Sequence, residues 1–303
     1  MRVGLGLPQL GPHVTADCVR EFVLRAEELG FSSLWVQEHL FYPHQNQSTY
    51  GGRYTRTVHE AYRSVFAPTE LLGFVAGISS TIMLGTSVLV AGYHRPVELA
   101  QRLASLDVLS KGRLIVGMGA GWSEEEHDQM DVEPRTRGRR MTELVEALTV
   151  CWGPDPVSFD GEFFSIPHAD IRPKPLQSPR PALMSGLRSP KGLIRTAEQF
   201  DIWNPLIGTG VDIVSSMQVM NERRGASKPL RLIVRSYVAR PSATADEIPP
   251  GLDGVRADVA EAIKLGAEEI IVEFGFWSEV TSPERWVEIP ERFAVLLDDA
   301  ERG

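Results

Sequence analysis

Gly117-Met118-Gly119-Ala120-Gly121-Trp122 directly follows the apolar run 114–118. Glycines at alternate positions bare the backbone, so a flat or anionic ligand can approach it closely. The same residues also read as a tight turn after a strand, with Ser123 and Glu126 as a capping box that opens a short helix. On the preceding run, the small residues Gly85, Thr86 and Ser87, followed by Val88, leave room for a planar ligand against a sheet. Glu38-His39 closes the run Ser-Leu-Trp-Val-Gln-Glu-His. A carboxylate next to an imidazole suits proton transfer near neutral pH, and a hydrogen-bonded scaffold histidine is the plainer alternative. His44 and His94 are weaker candidates for the same work.

Ser185-Gly186-Leu187-Arg188-Ser189-Pro190-Lys191 joins an apolar run to a segment with helical spacing. Amides, hydroxyls and cations at a helix start make an anion site, although an ordinary strand-to-helix turn has the same composition. Arg135, Arg137, Arg139 and Arg140 form either a solvated helix face or a contact for an acidic ligand held by the glycine-rich turn. The motifs HExxH, CxxC, GxxxxGK[ST] and GxSxG are absent, and no two histidines are four residues apart. Metal, phosphate-loop and serine-hydrolase chemistry are therefore not expected, and no metal ligands are assigned.

The elements that must hold these residues alternate along the chain. Apolar, β-rich runs fall at 3–7, 33–36, 82–90, 114–118, 182–185, 201–203, 230–238 and 269–274. Several are continuous, as in parallel strands buried on both faces. Helical stripes lie between them, such as Val19, Phe22, Val23, Ala26 and Leu29, or Leu99, Leu103, Leu106 and Leu109. Gly30, Gly112 and Gly266 stand where left-handed C-caps belong. About eight strand–helix repeats predict an α/β fold, a (β/α)8 TIM-like barrel with ligands at the C-terminal strand ends. A doubly wound sheet would need a dinucleotide fingerprint, and Gly4-Leu5-Gly6 lacks the third glycine. One domain spanning 1–303 is expected, with insertions near 41–66 and 155–180 serving as lids or binding loops; the second carries a hairpin-like FDGEFF.

A net charge of −9 without a basic tract argues against nucleic acid and anionic membrane surfaces as partners. No apolar stretch is long enough to span a bilayer, and the first residues read as a strand, not a signal peptide. Cys18 and Cys151 both fall in helical segments, as small buried hydrophobes, which fits a reducing cytoplasm.

Taken together, GLGLPQ, Glu38-His39, IMLGTSVLVAGYHRPVELAQRLASLDVLSKGRLIVGMGAGWSEEE, RGRRMTELVEAL, FDGEFFSI and the SGLRSP turn resemble the bacterial luciferase-like monooxygenase family, in the branch that uses the deazaflavin coenzyme F420. The resemblance weakens after about Asn204. It implies a TIM-like barrel with an isoalloxazine-type ring at the strand ends. Thr86, Ser87 and Val88 would lie behind the ring, with a non-prolyl cis peptide at Ser87-Val88. Gly119, Ala120, Gly121, Trp122 and Glu125 would flank it, and His39 would stand near its reacting part. Ser185, Gly186, Leu187 and Ser189 match the family's phosphate-holding turn. The family's acidic partner before the histidine is aspartate, whereas this chain has Glu38. Members specific for glucose 6-phosphate carry a glutamate as proton donor where this chain has Trp122, which argues against sugar phosphates and leaves the donor open.

The expected activity is therefore hydride transfer between F420 and a small organic substrate. His39, with Glu38, would handle the proton, and Trp122, Tyr50, Tyr54 and His59 would line the substrate. A deazaflavin suits this role because its reactive position is carbon, and the protein contributes positioning. Two alternatives share the fold: an FMN-dependent monooxygenase fed by a separate flavin reductase, and a non-catalytic flavin-binding barrel. The resemblance also implies a homodimer formed through barrel helices.

Overall fold

Val3 and Leu5 face one side of the first strand, where they join the apolar layer under the helices, while Gly4 and Gly6 face the other. That alternation runs around a closed barrel in the computed structural model, which describes residues 1–44, 48–50, 53–54, 59–225, 228–239 and 251–302. The eight barrel strands are Arg2–Gly6, Ser33–Val36, Met83–Thr86, Leu114–Gly119, Ala182–Ser185, Ile202–Trp203, Arg231–Tyr237 and Glu269–Glu273. They pair in parallel in chain order, and the last closes on the first with Arg2 opposite Glu269 and Leu5 opposite Val272. The expected run 82–90 divides: Met83–Thr86 stays in the barrel, the Ser87-Val88 peptide is cis, and Leu89–Val90 pairs onward with Met118 and Gly119.

Helices cover the outside. In Ala16–Leu29 the side chains of Val19, Phe22, Val23 and Ala26 are buried against the sheet. Each such large apolar side chain contributes roughly 1.5–3 kcal/mol. Thr15 caps this helix, its hydroxyl accepting the Cys18 N–H, and Gly30 ends it at φ 92°. Cys18 and Cys151 are buried and form no disulfide. Proline at the first turn starts Pro68–Ile78, Pro96–Leu109 and Pro190–Gln199. Among the described residues no helix is long and apolar enough to cross a membrane, and no His/Cys/Asp/Glu cluster could hold a metal ion.

Both insertions contain structure of their own. The first carries the strands Thr49–Tyr50 and Arg53–Tyr54 and the short helix Glu60–Arg63. The second folds into the hairpin Val157–Asp160 with Ser165–Ala169. The buried Glu143 carboxylate ties its tip down by accepting the N–H groups of Glu162, Phe163 and Phe164 at 3.0, 2.8 and 2.7 Å.

Inside the barrel, Trp35 lies between Gly6 and Gly85 in register on the neighbouring strands. Its indole N–H donates to Ser33 Oγ at 2.5 Å, and Ser33 donates in turn to Glu269. Burial pushes the Glu269 carboxyl up, against the pull of Ser33, Arg2 and Trp35. Ile115, Met184, Ile202, Ile233 and Ile271 fill the rest of this layer. A Cβ on Gly85 would fall well inside van der Waals distance of the indole ring. Gly85→Ala should therefore destabilise the fold by about 1–3 kcal/mol, read as a lower urea midpoint. An unchanged midpoint would mean that Trp35 can shift.

One carboxylate holds the loop that feeds the third strand. Glu27 accepts the N–H groups of Ser80, Thr81 and Ile82. Partial burial opposes its ionisation, but these bonds outweigh it and hold the carboxyl at about 2 against the ordinary 4.5. A depressed carboxylate contributes fully above its unfolded value and loses that contribution as pH falls toward its folded value. Glu27→Gln should thus reduce the loss of stability between pH 4.5 and 2, followed by thermal melts across that window. An unaltered acid profile would remove Glu27 from the account.

Candidate active site

The C-terminal strand ends carry most of the residues singled out from the sequence. Val88 is wedged between two glycines: a Cβ on Gly119 would stand 2.6 Å from its Cγ2, and one on Gly186 3.2 Å from its Cγ1. With the partly exposed Ala120, Gly121 and Leu187, these residues make a half-open floor that carries no charge. Beneath it, Ser87 is fully buried and donates to Asn204 Oδ1 at 2.8 Å. Its carbonyl accepts from Arg235 Nη1 at 2.6 Å, and Arg235 pairs with Glu273 at 3.0 Å. Burial pushes the Glu273 carboxyl up, against the Arg235 charge. Thr86 does not reach the mouth: its hydroxyl is buried, donating to Gly117 O and accepting Gly117 N–H at 2.8 Å each.

The histidine at the end of the second strand is held by a carboxylate, but not by its neighbour. His39 Nδ1 lies 2.9 Å from Oε1 of Glu126, which also accepts the N–H groups of Leu40 at 2.8 Å and Phe41 at 3.3 Å. Tyr93 donates its hydroxyl to Glu126 Oε2 at 2.6 Å. Burial pushes the Glu126 carboxyl up, yet the bonds from His39, Tyr93 and Leu40 outweigh it and hold it below its usual value. Burial, then the Glu126 charge, pushes the Tyr93 phenol well up, so that it remains an O–H donor.

Glu38 turns away, accepting Val90 N–H at 2.6 Å and facing His94 Nε2 at 3.1 Å. The expectation that Glu38 tunes His39 is therefore corrected: consecutive residues of an extended strand point to opposite sides. Half of the capping-box expectation also changes. Ser123 caps Glu124–Gln129 by accepting Glu126 N–H, but the Glu126 side chain goes to His39 instead of back to the cap.

The His39 ring packs on Tyr62 at 4.0 Å and on Trp122 at 5.2 Å between centroids. Tyr62 continues to Phe276 at 5.2 Å, and Phe276 meets Tyr237 and His59. His59 packs edge-on against Phe276, its Nδ1 accepts Ala61 N–H, and burial pushes the imidazole down. The side chains of Tyr50 and Tyr54 lie outside the described residues. Glu125 is bound by Ser48 Oγ at 2.5 Å and Ser123 Oγ at 3.2 Å, joining the first insertion to the short helix. Under the glycine turn, His127 sets Nδ1 at 2.6 Å from Ser123 O and Nε2 at 3.0 Å from Ala120 O.

In the fifth-strand turn, Ser189 caps Pro190–Gln199, its hydroxyl accepting Gly192 N–H at 3.1 Å. Ser185 is fully buried, and its hydroxyl meets Thr196 at 2.7 Å and Leu187 N–H at 3.2 Å, so it shapes the turn from below. Arg137 donates to Gly121 O at 3.2 Å. Arg139 pairs with Glu162, and Arg140 lies over the Phe163 ring at 4.6 Å. A flat, uncharged floor of Val88, Gly119 and Gly186 beside a helix N-terminus fits a planar ring with a phosphate tail.

Sequence reasoning missed Glu126's partnership, Tyr93, Tyr62, Asn204, Arg235 and Glu273. Arg235 and Glu273 did carry a signal, as charges inside or at the end of otherwise apolar strand runs.

Residues 4–246 match the luciferase-like monooxygenase family. An uncharacterized protein of Mycobacterium tuberculosis is 31% identical over 179 residues, 59% of this chain and 64% of that one. The F420-dependent glucose-6-phosphate dehydrogenase of Kineococcus radiotolerans is 32% identical over 174 residues, 56% of this chain and 45% of that one. The oxygenase component of a flavin-dependent trigonelline monooxygenase from Acinetobacter baylyi is 31% identical over 136 residues, covering 44% and 38%. The chain thus spans less than two thirds of the length of these curated relatives. Among solved structures, a monooxygenase from Streptomyces bottropensis superposes with a TM-score of 0.76 at 20% identity over 98% of both chains. An F420-dependent secondary alcohol dehydrogenase does so with a TM-score of 0.76 at 16% identity over 99% of both. With its closed parallel barrel and the match over most of its length, the chain belongs to the luciferase-like monooxygenase family.

Proposed function

We propose that this chain is an oxidoreductase that uses F420 and transfers a hydride between the deazaflavin and a small organic substrate. The observation that carries the proposal is the juxtaposition at the barrel mouth. One glycine-rich turn packs on Val88 through Gly119 and on His39 through Trp122. A flat floor for a ring and an oriented imidazole therefore share one short segment. The F420-dependent relative, 32% identical over 174 residues, is consistent with a deazaflavin as that ring.

In this reading the floor of Val88, Gly119 and Gly186 takes the ring, and the turn at Ser189 that opens Pro190–Gln199 takes a phosphate. Bound F420 supplies the hydride-accepting or hydride-donating carbon. His39 takes up or returns the proton of the substrate's reacting oxygen through Nε2, the nitrogen away from Glu126. Tyr62, Trp122 and Phe276 give the substrate an aromatic wall and exclude water beside the imidazole. Trp122 leaves no carboxylate at the turn itself, so the site does not suit sugar phosphates that need a proton donor there.

A second reading, an FMN-dependent oxygenase working with a separate reductase, draws support from the trigonelline monooxygenase relative. Fluorescence titration with F420 and with FMN separates the two. The expected result is F420 binding followed by hydride exchange with an alcohol, aldehyde or enone. Tight FMN binding without F420 binding would overturn the first reading in favour of the second, and binding without any turnover would leave a flavin-binding barrel. His39→Ala should keep cofactor affinity and lower turnover by about 10²–10⁴-fold. Unchanged turnover would take His39 out of the chemistry.

A further inference from the structure

We infer that Glu126 is the positioning residue of this site: it fixes His39 in its Nδ1–H tautomer and so makes Nε2 the atom that handles the substrate's proton. The inference rests on the oxidoreductase reading above. It starts from the donor count. One carboxylate, 1% exposed, meets His39 Nδ1, Leu40 N–H, Phe41 N–H and the Tyr93 hydroxyl. An ionised carboxylate only accepts hydrogen bonds, so the proton between Glu126 and His39 sits on Nδ1. The lone pair is then on Nε2, which no described residue hydrogen-bonds.

Two of the four donors are backbone amides from the residues that follow His39. They hold the carboxylate in place whatever the ring's protonation state. When Nε2 gains a proton, the new positive charge appears 2.9 Å from a carboxylate that is already oriented, and nothing has to reorganise. Glu38 cannot take over, because its carboxylate is engaged by Val90 N–H and faces His94 on the other side of the strand. Ser123, the cap of the helix that carries Glu126, directly follows Trp122. The tautomer of His39 and the placement of the cofactor floor therefore depend on the same turn.

The test combines a spectrum that needs no cofactor with a rate that does. In the unliganded protein labelled with ¹⁵N-histidine, long-range ¹H–¹⁵N correlation should show His39 with a protonated Nδ1 and a lone pair on Nε2. Glu126→Met, which removes the acceptor, should shift His39 to the Nε2–H form. Glu126→Gln keeps an acceptor oxygen without the charge. It should hold the tautomer and lower kcat by about 10- to 100-fold, with KM and F420 affinity near wild type. Wild-type His39 in the Nε2–H form, or Glu126→Gln at wild-type kcat, would overturn the inference. If Glu126→Met fails to fold, the wild-type spectrum and Glu126→Gln still decide. A wild-type protein inert with every cofactor would instead overturn the oxidoreductase reading, and the histidine spectrum would stand or fall independently of it.

Discussion

The barrel's geometry depends on one large ring with nowhere else to go. Trp35 points into the interior, where a Cβ on Gly85, in register beside it, would fall on the ring and one on Gly4 of the first strand would stand 2.8 Å from its Nε1. A parallel sheet can slip by whole residues only if its inward set stays compatible, and here a slip would bring a side chain onto the indole. The first three strands are thereby locked, and the fourth is set by its pairing with the third at Leu114 and Ile115. The height at which His39, Val88 and Gly119 emerge at the rim follows from that lock. The barrel's floor thus governs the geometry of its mouth.

Above the apolar layer the interior becomes polar in a connected way. Ser87, Asn204, Arg235 and Glu273 come from four different strands or strand ends and bind one another beneath the floor. Cutting any one of these links would leave a buried polar group without its partner, so a network of this kind admits few alternative arrangements. Burial drives Glu273 toward its neutral form, and the guanidinium of Arg235 opposes that. The floor therefore rests on oriented dipoles and one ion pair, and not only on methyl groups.

Much of this fold was legible in the chain because each element announces itself locally. The eight strand runs, the left-handed glycines that close helices at 30 and 266, and the hairpin at FDGEFF depend on residues close in sequence and appear in the structure, whereas after Pro96–Leu109 the first left-handed residue is Lys111, with Gly112 behind it. The split of the third run was not legible from periodicity, because Leu89 and Val90 are as apolar as the residues before them. For the site, residue types were readable but partnerships were not. Glu38 and His39 are adjacent in sequence and face apart, whereas His39 and Glu126 meet across 87 positions. Apolar patterning reports which face a residue takes, and it is silent on which buried polar group another strand will deliver.

The link between Ser48 and the helix Glu124–Gln129 couples the first insertion to the reacting geometry. The serine hydroxyl donates to Glu125 and accepts the N–H of Glu124, so the first insertion is fastened at a point two residues before the carboxylate that orients His39. Glu124 and Glu125 are held from outside the helix, while Ser123 caps Glu126 N–H from within it. A single small hydroxyl residue at position 48 thus ties the first insertion to the segment that delivers the carboxylate facing His39, and a bulkier residue there would disturb the reacting geometry through the backbone.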